Sequence, residues 1–180
     1  MKQKVKTSLA FAKNILTTGA ISETSEEVEN EVCKLLPRNK AIKVVEFGIG
    51  HGNITRKILS NISKDSTLHA FEVNPEFCKH VRNTIDDQRL QVINDSAEHV
   101  QNYFDTQIDA VIATIPFSFF SKEKSRSIIQ NSYDLLKEDG FYSQALYTKF
   151  NFKKFQKVFE KAELVVVNKL PPAYVYHCKK

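Results

Sequence analysis

Val44-Val45-Glu46-Phe47-Gly48-Ile49-Gly50-His51-Gly52-Asn53 decides the fold of this 180-residue chain. An apolar strand over residues 42–47 runs into glycines at alternate positions, then into a helix-like run over 53–60. Glycines there permit a tight turn and let a ligand reach the backbone with no Cβ in the way. Outward from this turn the pattern repeats. Strand-like runs cover 68–73, 90–94, 109–115 and 141–147, and helix-like runs cover 75–84, 97–104, 121–136 and 151–162. Such alternation predicts an α/β domain with a doubly wound, mostly parallel sheet covered on both faces. The last two strands, 164–168 and 173–178, are separated only by a short segment containing Leu170-Pro171-Pro172, so they form an antiparallel hairpin at one edge of a seven-stranded sheet. Two N-terminal helices complete the plan. Val5, Leu9, Ala12 and Leu16 make one stripe, and Ser22 or Thr24 caps an acidic second helix that ends near Leu36 before Pro37.

Composition narrows the class. With 42% hydrophobic and 26% charged residues, long disorder is excluded. The apolar run over 110–120 is broken by Pro116 and falls far short of the ~20 residues of a spanning helix. Cys33, Cys78 and Cys178 are far apart and form no CxxC pair, which indicates a reducing, cytoplasmic setting and no metal site. The net charge of +5 is uneven: residues 1–20 carry +4, residues 21–36 carry −4, and residues 149–180 carry +6. Basic ends on a near-neutral body point to a polyanion, either an anionic membrane or nucleic acid. Residues 1–17 have the layout of a helix lying in a membrane interface, with an apolar stripe bordered by Lys4, Lys6 and Lys13. The expected organisation is an N-terminal cap over 1–36 and a cofactor-binding unit over 37–180, together one structural domain.

The strand ends carry the site chemistry. A dinucleotide turn prefers GxGxxG, whereas Gly48, Gly50 and Gly52 follow GxGxG behind the acidic Glu46. That spacing favours S-adenosylmethionine, which has no pyrophosphate to seat. Glu72 ends the second strand twenty residues after Gly52 and can accept both hydroxyls of an adenosine ribose, as it would for NAD, with Val73 beside it. Asp95 ends the third strand, where its carboxylate can accept from an adenine amine while the Ser96 and Ala97 backbone meets the ring. The fourth strand delivers Thr114-Ile115-Pro116-Phe117, the place for a methyl acceptor at the carboxyl end of the sheet. Phe117, Phe119 and Phe120 are candidates to wall an apolar pocket.

Over nearly its whole length the sequence resembles class I S-adenosylmethionine-dependent methyltransferases, and within them the bacterial phospholipid N-methyltransferase family. The narrower resemblance lies in Phe11-Ala12-Lys13-Asn14 with Thr18-Gly19-Ala20-Ile21 and Ser25, in Asp109-Ala110-Val111 followed by Ile115-Pro116-Phe117, and in Leu170-Pro171-Pro172-Ala173-Tyr174-Val175-Tyr176. Thr114 departs from that family, which usually has Gly there. The resemblance implies a Rossmann-like methyltransferase fold that takes S-adenosyl-L-methionine and methylates the primary amine of a membrane aminolipid, with phosphatidylethanolamine first. It implies cofactor contacts from Glu46, Gly48, Gly50, Gly52, Glu72, Val73, Asp95, Ser96, Ala97 and Thr114. Substrate contacts are expected from Ile115, Pro116, Phe117 and Tyr176. Tyr147, Tyr174, Tyr176 and His177 are the polar candidates for orienting the head group or relaying a proton. The related rRNA adenine dimethyltransferases use an Asn-x-Pro-aromatic signature, and Thr114 replaces its Asn. They also append a helical domain, which is not expected here. Both points lower an RNA acceptor, which the basic C-terminal third keeps as the first alternative; a non-catalytic adaptor with a vestigial pocket is the second.

Overall fold

The computed structural model describes residues 24–168 and 170–180. In chain order the elements are α1 (Glu26–Val32), β1 (Lys43–Phe47), α2 (Asn53–Asn61), β2 (Thr67–Phe71), α3 (Pro75–Thr84), β3 (Leu90–Ile93), a 3-10 stretch (Ala97–Tyr103) and β4 (Ile108–Ala113). A 3-10 turn (Phe117–Phe119), α4 (Lys122–Leu135), β5 (Leu136–Leu146), α5 (Phe152–Phe155), β6 (Lys161–Val167) and β7 (Ala173–Lys179) follow. One seven-stranded sheet has the order β3-β2-β1-β4-β5-β7-β6. Strands β3 to β5 are parallel, and β7 runs antiparallel to both β5 and β6. The doubly wound sheet with its C-terminal hairpin is thus the architecture the alternation predicts.

The strand sequences explain the layers. In β1, Val44 faces one side with Val28, Val32, Ile54, Ile58 and Val175, while Val45 and Phe47 face the other with Ile128, Tyr142, Phe155 and Tyr176. Alternate side chains point to opposite faces, so a central strand covered on both must be apolar throughout. Helices α1, α2 and α3 therefore cover one face, and α4 and α5 the other. Asn74 accepts from the Glu76 N–H at 3.0 Å and Pro75 opens α3, which fixes where that helix begins.

Three expectations need correction. The helix expected over 151–162 is a single turn, because Lys161 to Val167 pair with β7 instead. Strand pairing there overrides a helical spacing of phenylalanines whose Phe155 and Phe159 are buried under α4. The acidic helix has Ser25 at its N-cap position, and Thr24 donates to the Glu29 carboxylate at 3.3 Å. That helix ends at Val32, short of Leu36, with Val28 and Val32 buried. Residues 97–103 form a 3-10 stretch where an α-helix was expected. The interfacial stripe of residues 1–17 lies outside the described residues. Among these, no helix is long and apolar enough to cross a membrane, and no cluster of His, Cys, Asp and Glu can hold a metal. The three cysteines are free and buried.

Candidate active site

Strand order reverses between β1 and β4, and crevices open at the carboxyl ends of strands at such a point. The glycine turn sits there. Gly48, Gly50 and Gly52 all have positive φ, and at Gly50 a Cβ would meet nothing within 4 Å, so its backbone faces open space. The Gly48 N–H donates to the Phe71 carbonyl at 2.9 Å and the Thr114 N–H to the Phe47 carbonyl at 3.0 Å, which joins the ends of β1, β2 and β4.

Three carboxylates stand along this edge on neighbouring strands. Glu46, near the end of β1, is 1% exposed. Thr55 on α2 donates to its Oε2 at 2.8 Å, while Oε1 is buried without a hydrogen-bond partner. Burial pushes its carboxyl up to about 8, the Thr55 bond opposes that rise, and the Glu72 charge adds to it. Glu72, just past β2, accepts from the Gly50 N–H at 3.3 Å and the Asn74 N–H at 2.9 Å. The next residue, Val73, is 59% exposed and offers a flat apolar face. Asn94 donates to the Glu72 carbonyl at 2.8 Å and ties the ends of β2 and β3 together.

Asp95 follows β3. Its Oδ1 accepts from the Ser96 N–H at 2.6 Å and pairs with His99 Nδ1 at 2.9 Å, and its Oδ2 accepts from the Tyr103 hydroxyl at 2.8 Å. These bonds, that to His99 foremost, pull its carboxyl down to about 2. Two lone pairs of Oδ1 are spent, and one of Oδ2 remains for a further donor. The Ser96 N–H is likewise spent on Asp95. Ala97 is buried.

The acceptor side differs from expectation. The Thr114 hydroxyl donates to the Gly48 carbonyl at 3.0 Å. Gln144 on β5 donates to the Ile115 carbonyl at 3.2 Å and accepts from the Tyr142 hydroxyl at 3.1 Å, which fixes the loop holding Ile115 and Pro116. Phe117, expected to wall a pocket, has no exposed surface. Its ring packs edge-on against Phe120 and Phe155, with centroids 5.7 and 5.4 Å away. Tyr176 is equally buried, its ring tilted against Phe152 and edge-on to Phe155, and its hydroxyl donates to the Thr148 carbonyl. Burial pushes that phenol up to about 12. Both residues are therefore core packing, joined through Phe155, and do not line an opening. His177 is also buried, between Ser143 Oγ at 2.8 Å and Glu31 at 3.2 Å, away from the strand ends. Tyr174 is half-buried and Tyr147 is exposed, just past β5.

Sequence reasoning missed Thr55, Asn74, Asn94, His99, Tyr103 and Gln144. His99 and Tyr103 fall four and eight residues after Asp95, a spacing that was available. Gln144, beside Ser143, was a polar residue among the apolar positions of the run over 141–147.

The arrangement suits an adenosine carrying a cationic amino-acid tail. Glu72 can take ribose hydroxyls, Val73 a purine face, the free lone pair of Asp95 an exocyclic amine, and the unpartnered oxygen of Glu46 a cationic group. Comparison with known proteins agrees. Residues 44–140 match the methyltransferase domain family. An ornithine lipid N-methyltransferase from Singulisphaera acidiphila is 24% identical over 176 residues, 94% of this chain and 92% of that one. Among solved structures, a precorrin-6y C5,15-methyltransferase from Geobacter metallireducens superposes with a TM-score of 0.73 at 18% identity, over 88% of this chain and 90% of that one. The SMU.1697c protein of Streptococcus mutans, solved with SAH, gives a TM-score of 0.65 at 18% identity, over 88% and 99%. The glycine turn, the carboxylates on adjacent strand ends and the match over more than half the sequence place the chain in the methyltransferase domain family, as an enzyme whose cofactor is S-adenosylmethionine.

Proposed function

We propose that the chain is an N-methyltransferase acting on the primary amine of a membrane aminolipid, from the cytoplasmic side and by peripheral contact. The observation that carries this is the alignment with an ornithine lipid N-methyltransferase from end to end, over 94% of this chain. Phosphatidylethanolamine and an ornithine lipid both present a primary amine, and phosphatidylethanolamine is the acceptor the sequence resemblance favours. The Thr114 hydroxyl is turned to the Gly48 carbonyl. No side-chain amide stands at this position to receive an adenine amine, which weighs against a nucleobase acceptor. Residues 1–17 are assigned the interfacial anchor and residues 37–180 the catalytic unit.

In this reading Glu46, the glycine turn, Glu72, Val73, Asp95, Ser96 and Ala97 hold the cofactor, with Thr114 closing the turn. The bound cofactor supplies a methyl group already activated on a sulfonium. The protein's task is then to align an uncharged amine with that methyl carbon, which is worth several orders of magnitude in rate. The loop from Thr114 to Phe117 holds the amine, and Phe117 and Tyr176 stiffen that loop from behind. The amine's proton must leave before or during attack. The Tyr176 phenol, raised by burial and bonded to Thr148, is no acceptor for it.

Transfer of labelled methyl groups from S-adenosylmethionine tests the reading, with phosphatidylethanolamine, an ornithine lipid and ribosomal RNA as separate acceptors. Label is expected on the lipid amine. Label in RNA, or bound cofactor with no lipid product, refutes it.

A further inference from the structure

Three loops on the cofactor-side rim of the sheet end in exposed apolar residues. The loop after β4 carries Phe119, 45% exposed, the segment after β5 carries Phe150, 87% exposed, and the β6–β7 connection carries Leu170, 96% exposed. Leu170 is followed by exposed Pro171 and Pro172. These loops share a rim because β4 and β5 end there, β6 ends there and β7 begins there. Behind this rim, side-chain contacts join the first of these loops to the helices and to β7. The Phe117 ring meets Phe155, Phe155 and Phe152 meet Tyr176, and Lys154 donates to Ser125 at 3.3 Å.

Charge is matched to the apolar tips. Residues 147–159 carry Lys149, Lys153, Lys154 and Lys157 and no acid. Lys149, Lys153 and Lys157 are exposed, as is Lys122 at the start of α4 beside the Phe119 loop. Exposed apolar side chains gathered on one rim and bordered by polar and cationic groups mark an interaction surface. An interface of anionic head groups over acyl chains satisfies both kinds of group.

We propose that this rim is a second docking surface for an anionic lipid bilayer, independent of residues 1–17, in which Phe119, Phe150 and Leu170 enter the acyl boundary and the lysines meet head groups. The inference rests on the lipid-acceptor reading and adds an orientation to it. With the rim against the bilayer, the ends of β4 and β5 face the membrane, and an aminolipid reaches the acceptor loop without leaving its leaflet.

The 180 residues contain no tryptophan, so Phe150→Trp gives a single probe. Unilamellar vesicles of phosphatidylglycerol and phosphatidylethanolamine are added, and emission is followed with and without doxyl-labelled acyl chains. A blue shift and quenching by the acyl label are expected. Gln88→Trp, on the opposite rim, should show neither. In parallel, Phe150→Asp/Leu170→Asp should weaken binding to these vesicles at least tenfold. Asn39→Asp/Gln88→Asp, which adds the same charge on the opposite rim, should change it less than twofold. Methyl transfer to aminolipid in detergent micelles should survive the rim substitutions, while transfer to vesicles falls with binding.

Unshifted emission from the Phe150→Trp protein bound to vesicles overturns the proposal, as does absence of vesicle binding. A probe already blue-shifted without lipid, and released by deleting residues 1–23, also overturns it, because the rim is then covered by the chain itself. Docking with the expected shift but no lipid methylation in micelles or vesicles leaves the surface standing and removes the lipid-acceptor reading.

Discussion

Replacing Glu46 with glutamine should stabilise the cofactor-free protein and impair cofactor binding at once. The carboxyl is almost fully buried, takes one hydrogen bond from Thr55 at 2.8 Å, and leaves its second oxygen without a partner. Burial lifts it from 4.5 to about 8. Each decade of that rise is worth about 1.4 kcal/mol, so holding the group neutral at pH 7 costs about 3 kcal/mol relative to a side chain that needs no proton. Between the two values the folded state binds more protons than the unfolded one. Stability therefore falls as pH rises from 4.5 towards 8 and levels off above. Glutamine has no such dependence. Urea denaturation at pH 7 should find the variant more stable by about 2–3 kcal/mol, with a flatter pH profile over that window. The amino-acid end of the cofactor brings a cation, which draws the proton off Glu46. Calorimetry at pH 7 in buffers of different ionisation enthalpy should then show up to one proton released on binding by the native protein and none by the variant. The variant's cofactor affinity should fall tenfold or more, since hydrogen bonds to charged groups are worth about 1.5–3 kcal/mol. A variant with unchanged stability, affinity and proton release refutes this reasoning.

If Glu72 is the ribose acceptor proposed above, Glu72→Ala should weaken cofactor binding roughly ten- to a hundredfold by calorimetry, and it also frees the Gly50 N–H. Tyr103→Phe removes one donor to Asp95 but keeps the ring edge-on to Phe71 at 5.1 Å. Cofactor affinity should drop severalfold with the melting temperature unchanged. Phe117→Ala opens a cavity in the aromatic core and should cost about 3–5 kcal/mol in denaturant unfolding. A stable Phe117→Ala protein that has lost only methyl transfer would return Phe117 to the pocket wall.

The parallel half of the sheet was legible because its strands contain short apolar runs, each followed by a helical segment. Phe152, Phe155 and Phe159 show the limit. Their spacing of three and four is that of a helix, yet only Phe152–Phe155 is helical. Whether residues beyond Phe159 continue a helix or join a strand depends on Lys179 and Cys178, which pair with Lys161 and Ala162. Nothing local encodes that pairing. The carboxylates were legible for the opposite reason. Glu46, Glu72 and Asp95 each sit where an apolar strand stops, a feature read from a few consecutive residues. Their partners lie farther off in sequence: Thr55 nine residues beyond Glu46, and Gly50 twenty-two before Glu72.

The acceptor side resisted reading because its residues are alike in type and differ only in direction. Phe117 and Phe119 are two positions apart in one loop. With about three residues per turn in a 3-10 helix, they point to well-separated directions, so burying one turns the other out. The structure buries Phe117 against Phe155 and leaves Phe119 45% exposed. The same division recurs after β5, where Phe155 is buried and Phe150 is 87% exposed. At each loop one aromatic anchors the turn to the core, and that anchoring holds its partner outward on the side where the cofactor edge opens. Phe117 and Tyr176 are therefore core supports behind this rim, and Phe119 and Phe150 stand exposed on it, where the proposed docking surface needs them.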